Sequence, residues 1–158
     1  MFSVAPGTEA VEVMIALGSN AGKPYDQVMQ AIAGIAAFPE TNLLCHSSLQ
    51  ETPFWGNAPG EPAQAAVINA VVQIQTRLSA FRLLALLLAV EQTQGRVRDP
   101  TVRYGARTVD CDMLLYGHWR IASPILTIPH PGIKYRDFVL TPLLEIAPEI
   151  MREHPCLM

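Results

Sequence analysis

The sequence has little of what marks membrane, secreted or nucleic-acid-binding proteins. Its most apolar run, residues 83–90, is too short to span a bilayer. Residues 1–6 lack the basic start and the long apolar run of a signal peptide. Aromatic residues make up 7% of the chain and the net charge is −3, whereas a nucleic-acid-binding domain needs a basic surface and exposed aromatics. We therefore expect no membrane partner and no nucleic-acid partner.

Cysteine is also scarce. The three cysteines, Cys45, Cys111 and Cys156, are spaced neither as a disulfide framework nor as a metal site, which is typical of a reduced, cytoplasmic protein. Half of the 158 residues are hydrophobic, which is enough to bury a core unaided. We expect a loose N-terminal tail at residues 1–10, followed by a single domain over residues 11–158 that acts as a monomer.

What the sequence does contain is an alternating stretch around residue 110. One face of a predicted strand carries Thr108, Asp110, Asp112 and Leu114, and the other, apolar face carries Val109, Cys111, Met113 and Leu115. Asp110 and Asp112 therefore project from the same face, roughly 6–7 Å apart along the strand. Two such carboxylates repel each other unless a cation lies between them, and Mg²⁺ prefers oxygen ligands of this kind. The alternative, a solvated strand face without a function, stays open.

An arginine-rich segment precedes that strand. Four arginines, Arg96, Arg98, Arg103 and Arg107, lie close together with Gly95, Pro100 and Gly105, and this composition predicts a mobile loop. Guanidinium groups bind phosphate oxygens through paired donors. An acidic strand next to such a loop is suited to phosphoryl transfer, in which a metal bridges phosphates and arginines stabilise the developing charge.

The rest of the chain alternates between predicted strands and helices. Strands are predicted at residues 11–17, 41–51 and 67–76, and helices at residues 24–38, 79–94 and 138–145. Leucines surround nearly the whole circumference of the second helix, so we expect it to be well buried. The order β-α-β-β-α-β predicts an α+β fold of the ferredoxin-like class, a two-layer sandwich in which an antiparallel sheet has its helices on one face.

Several side chains outside the acidic strand are candidate binding groups. Phe54 and Trp55 are adjacent aromatics in a loop rich in proline and glycine, and they can stack on a flat heterocycle. Asn69 lies among valines on the third strand, where its amide either binds the edge of a ring or is solvated at a sheet edge. His130 is flanked by two prolines that hold its backbone extended, and it either faces a phosphate or simply packs.

Taken together, these motifs resemble the 6-hydroxymethyl-7,8-dihydropterin pyrophosphokinases of folate biosynthesis. The signature of that family is an Arg-Thr-x-Asp-x-Asp strand, preceded by Gly-Arg-x-Arg and followed by Pro-His. Here it reads Gly95-Arg96-Val97-Arg98, Arg107-Thr108-Val109-Asp110-Cys111-Asp112 and Pro129-His130. The similarity extends from about residue 13 to residue 149. Members usually have an aromatic residue two positions before the strand asparagine, and here that position is Val67.

The resemblance implies that pyrophosphate is transferred from ATP to the hydroxymethyl group of 6-hydroxymethyl-7,8-dihydropterin, with release of AMP and with two Mg²⁺ ions held by Asp110 and Asp112. These aspartates, with Arg96 and Arg107, would be catalytic. The implied ATP-binding residues are Glu91, Arg98, Arg107, Met113, Thr127, His130 and Arg136, and the implied pterin-binding residues are Thr52, Phe54, Trp55, Asn69, Asp110 and Phe138. The alternative is a module on the same fold that binds a nucleotide or a pterin without turnover.

Overall fold

The computed structural model describes residues 9–53, 66–94 and 109–157. Its strands are β1 (Val11–Ser19), β2 (Thr41–His46), β3 (Gln50–Thr52), β4 (Val67–Thr76), β5 (Asp110–Tyr116), β6 (Ile121–Ala122) and β7 (Thr127–Ile128). Its α-helices are α1 (Pro24–Ala36), α2 (Ala80–Gln94), α3 (Asp137–Ile146) and α4 (Ile150–Glu153). Short 3-10 turns occur at Ile133–Tyr135 and Pro155–Leu157.

The main sheet has the strand order β2-β4-β1-β5, and β3 pairs with the first residues of β4. Every strand pair in it is antiparallel. The chain order β1-α1-β2-β4-α2-β5 with this strand order is the ferredoxin-like arrangement, so the predicted α+β fold is confirmed. The strand predicted at residues 41–51 is divided into β2 and β3. Between them Ser47 is buried, and its hydroxyl accepts a hydrogen bond from the Val71 N–H (2.9 Å).

One face of the sheet is covered by α1 and α2. The residues of α1 that recur at helical spacing (Val28, Ala31, Ile32 and Ile35) are buried, and they pack in one cluster with Val13, Ile15 and Leu17, alternate residues of β1. Burying one aliphatic side chain of this size contributes about 1.5–3 kcal/mol. The amphipathic pattern of the sequence therefore accounts for this layer.

Helix α2 is less buried than its leucine content predicts. Only Ala80, Leu83 and Leu87 are buried, whereas Phe81 and Leu88 are 47% and 46% exposed. The expectation that the whole circumference is covered is therefore wrong, because α2 packs along one stripe against α1 and β5. No helix in the described part of the chain has the length and apolar character needed to cross a membrane.

The opposite face of the sheet carries the C-terminal elements. Met14 and Ala16, which alternate along β1 with the residues of the first cluster, pack with Val139, Leu143 and Ile150 of α3 and α4. Helices were expected on one face only, and the finding adds a partial cover on the other, provided by the apolar stripes of α3 and α4. This cover does not extend to the end of the sheet near Gly18, which opens into a cavity.

Strand β5, at the edge of the sheet, contains a β-bulge. Met14 pairs with Leu115 and Ile15 pairs with Met113, so Leu114 is an extra residue in the ladder. As a result, Leu114 and Leu115 both pack in the cluster that Met14 and Ala16 form with α3 and α4. The predicted alternation therefore holds as far as Leu114, and the placement of Leu115 on the face of Met113 was wrong because a bulge shifts every position beyond it.

Candidate active site

The uncovered end of the second sheet face forms a cavity of about 490 Å³. Residues of β1, β3, β4, β5 and α3 line it. Six of the predicted site residues are among them: Thr52, Asn69, Asp110, Asp112, Arg136 and Phe138. The fold therefore brings together predicted pterin-binding, ATP-binding and metal-binding residues that lie far apart in the sequence.

Asp110 and Asp112 lie on one wall of the cavity and are both exposed. The residues that alternate with them, Val109, Cys111 and Met113, are buried in the core beneath α1 and α2. The predicted shared face of the two carboxylates is thus confirmed. Because β5 is paired along its length with β1, the two carboxylates have little freedom to move apart. Their mutual repulsion therefore favours binding of a cation between them.

The thiol of Cys111 reports the charge at this end of β5. Burial raises its pKa far above the ordinary value, and the carboxylates of Glu91, Asp112 and Asp110 raise it further. Cys111 therefore stays a protonated thiol. Three acids thus contribute to the negative potential at a single strand position, as expected of a site that binds divalent cations.

Asn69 and Thr52 form a second wall. The side chain of Asn69 is almost completely buried, and its Nδ2 donates a hydrogen bond to Thr52 Oγ1 (2.8 Å). Because this bond uses one proton of the amide and one lone pair of the hydroxyl, the orientation of both groups is fixed. The two side chains therefore present a defined set of donors and acceptors to the cavity.

Gly18 makes room for that asparagine. The two residues are directly paired across β1 and β4, and a Cβ atom at position 18 would lie 3.1 Å from Asn69 Oδ1. Such an approach is tighter than nearly all real Cβ contacts. All three residues of the turn Gly18-Ser19-Asn20, at the end of β1, line the cavity.

His130 lies beside β5, the strand that carries Asp110 and Asp112. Its backbone N–H donates to the Leu114 carbonyl (2.9 Å), and its Nδ1 accepts from the Gly132 N–H (3.0 Å). Burial lowers the pKa of its ring, an effect that the charge of Asp112 opposes and that of Arg136 reinforces. The ring is therefore neutral with its proton on Nε2, because Nδ1 is occupied as an acceptor.

Arg136 approaches the same histidine across Gly132. A Cβ atom on Gly132 would lie 3.0 Å from Arg136 Nε and 3.2 Å from His130 Cε1, so a side chain there would displace one of the two. The Arg136 guanidinium carbon also lies 5.9 Å from the centre of the Phe138 ring. The guanidinium and the aromatic ring thus line the cavity, whereas the imidazole lies next to the guanidinium and outside the cavity lining.

Three other predicted nucleotide contacts lie outside the cavity lining. Glu91 Oε2 accepts a hydrogen bond from the Cys111 N–H (3.0 Å). Met113 has a buried side chain that packs beneath the helices, so only its backbone can meet a ligand. Thr127 is exposed on β7, which contacts β5. The remaining predicted site residues, Phe54, Trp55, Arg96, Arg98 and Arg107, fall outside the described residues.

The cavity also contains residues that the sequence analysis did not assign. Val67 lines it at the position where the family resemblance led us to expect an aromatic residue, and Asp137 and Val139 line it from the first turn of α3. The helical pattern after Arg136 was a visible signal for the start of α3, but nothing in the pattern showed which sheet face the helix would cover.

The donor set of the cavity fits Mg²⁺. Among residues 9–53, 66–94 and 109–157, no three His, Cys, Asp or Glu side chains are grouped as a complete metal site. Mg²⁺ does not need such a group, because it commonly binds one or two carboxylates and completes its shell with water and substrate phosphates. Two exposed aspartates on one strand are oxygen donors of the kind and number that Mg²⁺ takes from a protein.

The chain is similar to known proteins along most of its length, and the similarity agrees with the family resemblance of the sequence motifs. The sequence model of the family described as "7,8-dihydro-6-hydroxymethylpterin-pyrophosphokinase (HPPK)" matches residues 14–148. The 2-amino-4-hydroxy-6-hydroxymethyldihydropteridine pyrophosphokinase of Haemophilus influenzae is 41% identical over 142 residues, covering 89% of this chain and 84% of that protein. The enzyme of the same name from Pseudomonas aeruginosa is 40% identical over 139 residues, covering 87% and 82% of the two chains.

Solved structures agree on the fold. The structure described as "HPPK-DHPS in complex with substrates" superposes with a TM-score of 0.66 at 14% sequence identity. The match covers 88% of this chain and 40% of that longer chain. At this identity the likeness bears on the fold alone, and it agrees with the ferredoxin-like topology described above.

Proposed function

Because the chain belongs to the family of 7,8-dihydro-6-hydroxymethylpterin pyrophosphokinases, which are enzymes of folate biosynthesis, we propose that its cavity is where pyrophosphate passes from ATP to 6-hydroxymethyl-7,8-dihydropterin. The observation that carries the assignment to this cavity is the exposed pair Asp110 and Asp112 on one wall, with Asn69 and Thr52 on another. The bond that forms joins the pterin hydroxyl oxygen to the β-phosphorus. The bond that breaks joins that phosphorus to the oxygen that leaves with AMP.

The pterin ring binds against Asn69 and Thr52. A pterin edge carries an amino group, a carbonyl and ring nitrogens, and the hydrogen-bonded pair of side chains can both donate to it and accept from it. Because Asn69 is almost completely buried, a ring that left its amide unpaired would lose about 1–3 kcal/mol. This cost favours a heterocycle with a matching edge over one without it.

Aromatic side chains hold the faces of the ring. Phe138 is 40% exposed at the start of α3 and lines the cavity. Val67 lines the cavity and offers aliphatic contact, so one ring face gains no aromatic stacking from this position. Phe54 and Trp55 keep their predicted role as further pterin contacts.

The ATP phosphates bind between β5, which carries Asp110 and Asp112, and His130. The Nε2–H of His130 can donate a hydrogen bond to a phosphate oxygen, because the Gly132 hydrogen bond occupies Nδ1, and Arg136 adds paired donors nearby. Arg98, Thr127 and the backbone of Met113 keep their predicted roles around the nucleotide. Neutral His130 donates without adding charge, which leaves charge neutralisation to the arginines.

Asp110 and Asp112 would hold two Mg²⁺ ions. Held there, Mg²⁺ would supply Lewis-acid neutralisation of the phosphate charge and would make the attacking hydroxyl more acidic. Arg96 and Arg107 stabilise the charge that develops on the transferred group once water is excluded. Asn69 and Thr52 orient the ring, so that its hydroxymethyl group is directed to the acids. The chain's own contribution is therefore mainly positioning and electrostatics.

Replacement of Asp112 by alanine tests this proposal. We expect Asp112→Ala to abolish AMP formation from ATP and the pterin, while Asp26→Ala, an exposed aspartate on α1, leaves it unchanged. AMP and the pterin pyrophosphate are measured together by chromatography at several Mg²⁺ concentrations. A near-native rate in Asp112→Ala would contradict the assignment. Binding of both ligands by the wild-type chain without AMP release would instead indicate the non-catalytic module.

The cellular setting follows from the same chemistry. ATP and a reduced pterin are cytoplasmic metabolites, and the three cysteines are free thiols, so we place the enzyme in the cytoplasm. We propose that it acts as a monomer, since every group assigned above comes from one chain, and that it has no nucleic-acid or membrane partner. Sedimentation with and without the two substrates measures the oligomeric state.

A further inference from the structure

The outer edge of β5 is bound by groups that do not belong to a strand. In the described part of the chain, β5 is the last strand of the main sheet and pairs with β1 on its inner side. On the outer side, Glu91 Oε2 accepts a hydrogen bond from the Cys111 N–H (3.0 Å). An edge strand without such partners has backbone groups that are satisfied only by water and moves more freely.

The position of this hydrogen bond matters because Cys111 lies between the two aspartates. In an antiparallel ladder, successive residues direct their backbone groups to opposite sides. Asp110 and Asp112 face Gly18 and Ala16 across the inner edge, and the Cys111 N–H faces outward to Glu91. The strand is therefore held from both sides at three consecutive residues, which restricts its rotation about its own axis. That rotation sets the direction of both carboxylates.

Glu91 is itself held in place. Three residues further along α2, Gln94 Nε2 donates to the carbonyl oxygen of Gln27 (2.8 Å) and to its Oε1 (3.0 Å). These bonds fix the last turn of α2 to the start of α1. The carboxylate of Glu91 thus connects β5 to a rigid helical layer.

We propose that Glu91 is a positioning residue for pyrophosphate transfer: by accepting the Cys111 N–H, it fixes the direction in which Asp110 and Asp112 meet divalent cations. The proposal rests on the function proposed above. It gives Glu91 a role that is exerted through the backbone of β5 and that differs from a direct contact with the nucleotide. The required property of residue 91 is then an acceptor oxygen at this reach, and its negative charge is secondary.

Three variants test this inference: Glu91→Ala, which removes the acceptor, Glu91→Gln, which keeps an acceptor oxygen without the charge, and Gln92→Ala, an exposed neighbour on α2 that controls for changes in the helix. Amide hydrogen exchange of Cys111 is measured by NMR. Binding of Mn²⁺ together with α,β-methylene-ATP is measured by electron paramagnetic resonance, and AMP release is measured with Mg²⁺.

We expect Glu91→Ala to speed exchange at the Cys111 amide and to weaken Mn²⁺ binding and turnover by about 10- to 100-fold, the usual range for groups that orient metal ligands. Glu91→Gln should stay within about threefold of the wild type in all three measurements, because its amide oxygen accepts the same bond. Gln92→Ala should behave as the wild type does.

Two results would overturn the inference. If Glu91→Gln is as impaired as Glu91→Ala, the charge or a ligand contact is what matters. If Glu91→Ala exchanges its Cys111 amide at the wild-type rate, or retains wild-type Mn²⁺ affinity, the hydrogen bond does not position the acids. Failure of the proposed function would look different, because the wild-type chain itself would then release no AMP whichever residue stands at position 91.

Discussion

Replacing Gly18 with alanine should lower pterin affinity without lowering stability. Gly18 lies within β1, where its backbone conformation is open to any residue, and alanine in a strand loses less conformational entropy on folding than glycine does. On that ground alone, Gly18→Ala is expected to stabilise the fold by about 0.5–1 kcal/mol. The new methyl group would, however, lie 3.1 Å from Asn69 Oδ1, while its next neighbours are at 3.7 Å and 3.9 Å.

The strain therefore falls on one atom. Asn69 must move by a few tenths of an ångström, and its hydrogen bond to Thr52 at 2.8 Å limits the directions in which it can do so. If the movement costs the pterin one well-aligned hydrogen bond, about 0.5–1.5 kcal/mol is lost. Since 1.4 kcal/mol corresponds to a factor of about ten, the expected rise in the KM for the pterin is about two- to twelvefold. The KM for ATP should not change.

The assay combines steady-state kinetics for each substrate with thermal unfolding. Gly34→Ala is the matched control, because a Cβ atom there meets Val90 at an ordinary 3.6 Å in the last turn of α1. That variant should gain up to about 1 kcal/mol from helix propensity, or roughly 2–4 °C in Tm, with both KM values unchanged. A wild-type KM for the pterin in Gly18→Ala, or a clear fall in its Tm, would refute the reasoning.

Two further predictions concern titrating groups. In the native protein Cys156, which is exposed, should react first with a thiol reagent at pH 8, whereas the other two cysteines, whose thiol pKa is raised chiefly by burial, should react fully only in denaturant; rapid labelling of all three in mass spectra would contradict this. His154 stacks on His118 at 4.8 Å, and its pKa is lowered by burial and by that neighbour, against the opposing charge of Glu153. The imidazole of residue 154 therefore binds a proton more readily in the unfolded chain than in the folded one. Its unfavourable effect on the free energy of unfolding is absent above about pH 6.5, and stability is lost as the pH falls toward the lower folded pKa. Thermal unfolding from pH 7.5 to 5 should show a smaller loss for His154→Phe, and equal losses for the two proteins would count against it.

Much of the fold could be read from local patterns. Strand β4 has the predicted bounds, and α1 buries the residues that recur at helical spacing, because both patterns follow directly from which side of an element faces a core. The exposure of Asp110 and Asp112 followed from the same alternation. Such features depend on a few neighbouring residues and one apolar layer.

The remaining features depend on contacts between distant segments. Nothing near Leu114 marks it as an extra residue, since the bulge is a property of its pairing with β1. Ser47 lies at the break between β2 and β3 and bonds to Val71 of another strand, and the lack of space at position 18 comes from an asparagine on another strand. The bond between Glu91 and Cys111 likewise joins a helix to a strand edge and leaves no periodic trace in the sequence.

The bulge at Leu114 has an effect beyond the core. The carbonyl oxygen of Leu114 accepts a hydrogen bond from the His130 N–H. The backbone of the histidine is therefore bonded to the same strand that carries Asp112. Chain length in this stretch, rather than the chemistry of any one side chain, then determines how far the imidazole stands from the acids. Exchanging one apolar residue for another at position 114 would preserve that spacing, whereas deleting residue 114 would remove the carbonyl oxygen that accepts from the His130 N–H.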